Sequence, residues 1–170
     1  CKFLFVSESS KEGELGYRRN GLPIGERERE QLKKILQTCN IARNDVAIVP
    51  VLRCRPILTG SKKPKMVNLR ACRPFLIRAI GELNPEHVIA FGDSALKGVL
   101  NTGVPGPIAL LRGRHLDIPV EGQEVFNTVE ATSKLSSTLI DPHSITRITE
   151  DLRRTTLPLT SWPKKELPKC

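Results

Sequence analysis

Glu8 stands in a polar stretch, Ser7 to Gly13, directly after a short apolar run from Lys2 to Val6. A carboxylate at the end of a strand can orient water or stabilise developing positive charge. A solvated loop glutamate is the alternative, because isolated carboxylates are rarely catalytic. A second set of residues is cationic. Arg53, Arg55, Lys62, Lys63, Lys65, Arg70, Arg73 and Arg78 lie between Asp45 and Glu82 with no acidic residue among them. Such a run suits a polyanion, or else is a solvated basic surface. Arg112 and Arg114 flank Gly113 and are candidate phosphate contacts, with plain surface charge as the alternative. Cys54 and Cys72, taken by themselves, read as buried thiols acting as small hydrophobes. His115 reads as structural, since nothing nearby in sequence offers it a partner.

The elements that would position these residues follow from apolar periodicity. Val46 to Leu52 is an apolar run that suits a buried strand. Leu69, Cys72, Leu76, Ala79, Ile80 and Leu83 recur at helical spacing and predict a helix from about Val67 to Leu83, stopped by Asn84-Pro85. His87 to Phe91 is a second buried strand, Gly92 breaks it, and Asp93 or Ser94 can cap the next helix. Strand, helix, strand at this spacing is a parallel unit with a right-handed crossover. The cationic loop then leaves the carboxyl end of a strand, where open α/β sheets bind ligands. Pro50 makes its strand an atypical central one.

A helix is expected from Glu26 to Cys39, a short one from Ala95 to Leu100, and a final amphipathic one from Asp141 to Arg154. Ile108–Arg112 and His115–Ile118 read as a hairpin, and Val125–Val129 as the last strand. The expected fold is a three-layer α/β/α sandwich on a mostly parallel sheet of four strands, at 2–6, 46–52, 87–91 and 125–129. Residues 1–154 make one domain, and 155–170, with several prolines, a linker or tail.

At 170 residues the chain is one domain in size. Its 27 Lys+Arg against 18 Asp+Glu favour nucleic acid or an anionic surface as partner. No run is long enough to span a bilayer. The five cysteines, at 1, 39, 54, 72 and 170, form no CxxC pair, which points to a reducing, intracellular compartment rather than a disulfide framework. Aromatic residues make up only 4%, which disfavours a single-strand binder built on stacking platforms. The chain opens on Cys1 directly before a strand, so a segment of something longer is expected.

RCRP at 53–56, ACRPFL at 71–76 and NPEHVIAFGDSAL at 84–96 resemble the uracil-DNA glycosylase superfamily, most of all its iron–sulfur-bearing family 4 and related phage enzymes. The resemblance runs from about Phe3 to Arg154 and implies that superfamily's sandwich fold and a DNA substrate. It places Glu8 in the first catalytic motif, where the carboxylate would direct water at a sugar anomeric carbon. The motif's flanking Gly, Pro and Gly are Ser7, Ser10 and Lys11 here. It also marks three base-pocket positions. Ile24 stands where an aromatic stacks on the flipped base. Pro50 stands where an Asn reads the base edge, and a proline has no side-chain donor or acceptor. Glu130 and Ala131 stand where a His-Pro pair serves the leaving base, and a carboxylate would repel the negative charge that develops there. Lys134 follows in the same segment and joins Arg53, Arg55, Lys62, Lys63, Arg112 and Arg114 as a nucleic-acid contact.

Cys54 and Cys72 match two of the four cluster ligands, and the other two would lie upstream of the first strand. No cofactor is therefore expected, unless further cysteines from outside this segment complete an iron–sulfur site. The expected function is nucleic-acid binding, DNA in preference to RNA, by a glycosylase-like domain whose excision residues are replaced. It would work within a larger replication, repair or RNA-processing assembly with other subunits or domains. The alternatives are an active glycosylase on uracil or another altered base, and a protein-interaction module.

Overall fold

The computed structural model describes residues 1–8, 24–53, 64–102, 108–112, 115–119, 128–132 and 142–155. The first strand, β1 (Phe3–Ser7), is buried at every residue. Its odd residues Phe3 and Phe5 enter one core layer and its even residues Leu4 and Val6 the other. A strand covered on both faces must be apolar throughout, which explains its lack of polar alternation.

Helix α1 (Glu26–Thr38) opens at Gly25, whose N–H donates to the Glu28 carboxylate at 2.9 Å. Leu32, Ile35 and Leu36 bury its inner face against Phe3, Phe5 and Ile24. A 3₁₀ turn (Arg43–Asp45) leads into β2 (Val46–Pro50), which pairs in parallel with β1 from Phe3↔Val46 to Ser7↔Pro50. Helix α2 (Met66–Leu83) buries Leu69, Cys72, Leu76 and Ile80 and ends on Asn84 in the left-handed region, φ 41°. The Asn84 N–H returns to the Ile80 carbonyl, and Pro85 then forbids continuation.

Strand β3 (His87–Phe91) lies on the other side of β1. Helix α3 (Asp93–Leu100) follows, its N-cap being Gly92 at φ 88°, a value that favours glycine. The expected Asp93 or Ser94 cap is thus replaced by a glycine turn with no side-chain cap bond. Where a hairpin strand was expected, Ile108–Leu111 forms a short helix, α4. Strand β4 (His115–Asp117) runs antiparallel to β5 (Thr128–Thr132). The last helix, α5 (Pro142–Thr155), packs Ile148 and Leu152 on the α1 side of the sheet.

The sheet order is β2-β1-β3-β5-β4. Four parallel strands are as expected in kind, and β4 adds a fifth, antiparallel edge. The last parallel strand is described over Thr128–Thr132, and the expected residues 125–127 lie outside the described residues. β2 proves to be an edge strand rather than a central one, and proline is tolerated at an edge. Val51 N–H donates to the Ser7 carbonyl at 2.7 Å, so by alternation the ring nitrogen of Pro50 faces away from β1. The expected tail, apart from Thr155, lies outside the described residues.

Candidate functional site

The path of the chain selects one end of the sheet. From β1 it goes to α1, on the layer holding Phe5, Ile35 and Phe91. From β3 it goes to α3, on the opposite layer with Leu4, Leu69 and Leu96. Neighbouring parallel strands whose connections part to opposite faces leave a crevice at their carboxyl ends. Here β1 and β3 are those neighbours. Glu8 follows β1 at this point, half-buried, and Gly92 turns the chain into α3 beside it. The α3 amino terminus therefore opens at the same end as Glu8.

Ser7, directly before Glu8, is buried with no hydrogen-bond partner for its hydroxyl among the described residues. Asp93, in the first turn of α3, is held by Lys97 at 2.9 Å. Pro50 closes β2 in register with Ser7. The crevice rim therefore brings Glu8, Ser7, Pro50 and the Gly92–Asp93 turn to one end of the sheet, as strand order dictates. Ile24, just before the α1 amino terminus, is fully buried in the layer that holds Phe3, Phe5, Ile35 and Phe91. Glu130 lies inside β5, in register with Ile89 on one side and His115 on the other, two residues short of the strand end at Thr132.

Of the expected cationic contacts, Arg53 is exposed just beyond β2, its guanidinium carbon 4.9 Å from the centroid of the Phe75 ring on α2. Arg112 sits in an ion pair. Its Nε donates to Asp151 Oδ2 at 2.8 Å, and Nη2 donates to Asp151 Oδ1 at 3.0 Å and to the Arg147 carbonyl at 3.0 Å. Thr132 Oγ1 donates to the same Asp151 Oδ2 at 2.7 Å. Asp151 thus ties α5 both to Arg112 and to the carboxyl end of β5. Arg55, Lys62, Lys63, Arg114 and Lys134 lie outside the described residues. Arg73 is also structural, since it donates to the carbonyls of Val99 and Pro119.

Cys72 is 7% exposed in the apolar layer with Leu69 and Leu76. Cys54 lies outside the described residues, and among those described no three His, Cys, Asp or Glu side chains could jointly hold a metal ion. The described residues alone do not make a ligand set for a cluster. Among them, too, no helix is long and apolar enough to cross a membrane. His115 is half-buried, and burial pushes its ring below the usual pKa.

Sequence reasoning missed Asp151, Thr132 and Phe75. The first carried a signal, because an acid between Ile148 and Leu152 falls on the apolar stripe of α5. Phe75 carried one as well, since it falls off the stripe of Leu69, Cys72, Leu76 and Ile80.

The family model of the uracil DNA glycosylase superfamily matches residues 2–155. A type-4 uracil-DNA glycosylase of Thermotoga maritima is 31% identical over 116 residues, covering 68% of this chain and 57% of that protein. One from Pyrobaculum aerophilum is 35% identical over 69 residues, 41% of this chain and 34% of the relative. One from Saccharolobus solfataricus is 25% identical over 167 residues, 96% of this chain and 74% of the relative. The chain spans about half the length of the first of these and about a third of the second.

Proposed function

The chain belongs to the uracil DNA glycosylase superfamily, and from that premise we propose that it is a nucleic-acid-binding domain whose base-excision residues have been replaced. The observation that carries the reading is the fate of the three base-pocket positions. Ile24 is spent on core packing. Pro50 brings no polar side chain to the strand end, and its ring nitrogen has no hydrogen to donate. By the resemblance, Glu130 stands at the position where a neutral or cationic donor would serve a departing base. Losing one such donor costs about a hundredfold to a thousandfold in rate. The excess of Lys and Arg and the acid-free run from Val46 to Gly81 support a phosphate backbone as ligand. The relatives named above are uracil-DNA glycosylases, which favours DNA over RNA. On this reading the domain acts within a larger replication, repair or RNA-processing assembly.

The test is binding to a duplex across a salt series. Replacing Arg53, Arg55, Lys62 and Lys63 together by Ala should weaken binding uniformly across sequences. It should flatten the log–log salt slope by up to about 3.6, four phosphates at about 0.9 each. An unchanged slope sinks the reading.

One observation favours a second reading, an active glycosylase: Glu8 stands at the switch point between β1 and β3. Single-turnover assay of a uracil-containing duplex with protein in excess separates the two. Alkali-labile strand scission within minutes, abolished by Glu8→Gln, establishes the second and overturns the first. No scission leaves a binding domain.

A further inference from the structure

Helix α2 turns one face to the core and the other outward. Among the described phenylalanines, Phe3, Phe5 and Phe91 are buried, whereas Phe75 is 51% exposed. Beside it on the outward face stand Val67, 68% exposed, and the exposed residues Arg70, Ala71, Pro74 and Arg78. Arg53 covers one side of the Phe75 ring at 4.9 Å. Arg78 is paired with Glu82 at 2.7 Å. Arg70 and Lys65 have no ion-pair partner among the described residues, and both are exposed. Among the described residues the surface is therefore one half-exposed aromatic ring, one guanidinium against it, and two cations outside any ion pair.

This combination has a definite chemistry. A ring and a guanidinium plane are what an unpaired base stacks on, and nearby Lys and Arg take the phosphates. A protein partner is less well served. Its interface core needs roughly 800 Å² per side, and the apolar stripe here is interrupted by Arg70 and Arg78. The place lies on α2 rather than at the β1–β3 switch point, and it shares Arg53 with the basic loop. Phe75 lies nine residues into α2, about 13 Å along the helix from its start at 1.5 Å per residue.

We propose that the outer face of α2 is a second nucleic-acid contact, which takes a single-stranded segment with one base stacked on Phe75 opposite Arg53 and its phosphates on Arg70 and Lys65. It rests on the reading above only in the class of ligand. A strand unpaired beside the crevice would be led over α2 and kept from re-pairing.

The experiment uses the whole chain with Trp162→Phe as background and Phe75→Trp as reporter. The probes are dT12, rU12 and a blunt 12-base-pair duplex. Emission of the Phe75→Trp protein should be quenched by dT12 or rU12 but not by the duplex, and the stronger of the two single strands identifies the natural sugar. In the natural sequence, Phe75→Ala and Phe75→Leu should each weaken single-strand binding roughly 5- to 100-fold, the range expected for one stacked base. Both should leave duplex affinity within about twofold. Arg70→Ala should flatten the single-strand salt slope by about 0.7. Unquenched emission with unaltered dT12 and rU12 binding in Phe75→Leu overturns the inference while duplex binding leaves the proposed function standing. Binding of none of the three probes overturns both. Quenching by an alternating Glu-Leu peptide, and not by either single strand, overturns it in favour of a protein partner.

Discussion

Removing Asp151 should cost this protein a large part of its stability. The carboxylate is 1% exposed and accepts two hydrogen bonds from Arg112 and one from Thr132. In Asp151→Ala the guanidinium, itself only 20% exposed, keeps its charge and loses its counter-ion. Breaking a buried pair by deleting one partner costs about 3–5 kcal/mol. The Thr132 hydroxyl, left without its acceptor, adds about 1 kcal/mol. A loss of about 4 kcal/mol or more is therefore expected, against a total of about 5–15 kcal/mol for an ordinary domain. At about 2–4 °C per kcal/mol for a chain of this length, Tm should fall by roughly 8–16 °C. Arg112→Met alone should cost a comparable amount, because it strands the buried carboxylate. The double substitution Arg112→Met with Asp151→Leu removes both charges and should cost less than either single change. Urea unfolding followed by far-UV circular dichroism measures all four proteins. The reasoning is refuted if Asp151→Ala costs under about 1 kcal/mol, or if the double variant loses the sum of the singles. Either result would mean that the pair is solvated like a surface pair.

Gly98 on α3 leaves no room for a methyl group: a Cβ there would collide with Cγ2 of Val51, itself buried just beyond β2. Gly98→Ala should therefore destabilise by about 1–3 kcal/mol, although alanine is the better helix former by about 1 kcal/mol; adding Val51→Ala should recover part of the loss, and a stabilised single variant in urea would contradict the packing. Burial holds the rings of both His87 and His115 below the usual 6.5; at His87 the Glu86 carboxylate partly opposes this and the nearby His115 ring adds to it. The unfolded chain therefore takes up protons first as pH drops below about 6.5, so stability is complete above that value and declines as pH falls through the folded-state pKa values. The urea midpoint should be lower at pH 5 than at pH 7.5, and the difference should shrink in a His87→Gln, His115→Gln variant; an equal midpoint at both pH values would count against neutral histidines in the fold.

The central unit was legible because its signals were local. Leu69, Cys72, Leu76 and Ile80 repeat at helical spacing, and α2 begins at Met66, one residue before its expected start. The strands at 2–6 and 87–91 were legible too from their apolar runs, whereas their lying side by side is seen only in the fold. What the sequence hid depended on distant partners. Thr128-Val129-Glu130-Ala131-Thr132 is too polar to read as a buried strand, yet Thr132 is fully buried because Asp151 accepts its hydrogen bond from another helix. Ile108–Leu111 is a four-residue apolar run, and at that length periodicity does not separate helix from strand. Arg112 reads as a free cation because its partner Asp151 is remote in sequence. Each is the other's partner, 39 residues apart. At the site, the position of Glu8 followed from strand order, whereas the burial of Ile24 needed the α1 layer in place.

The outward ring nitrogen of Pro50 has a consequence for how this molecule keeps company with its own copies. An edge strand with free N–H groups is a template on which another chain can add a strand, and sheets grow into aggregates that way. β2 is only five residues long, and at its carboxyl end the group that an incoming strand would need as a donor is missing. Pro50 thus withholds one donor at the carboxyl end of this margin, which makes the edge a poorer template for a strand from a second copy.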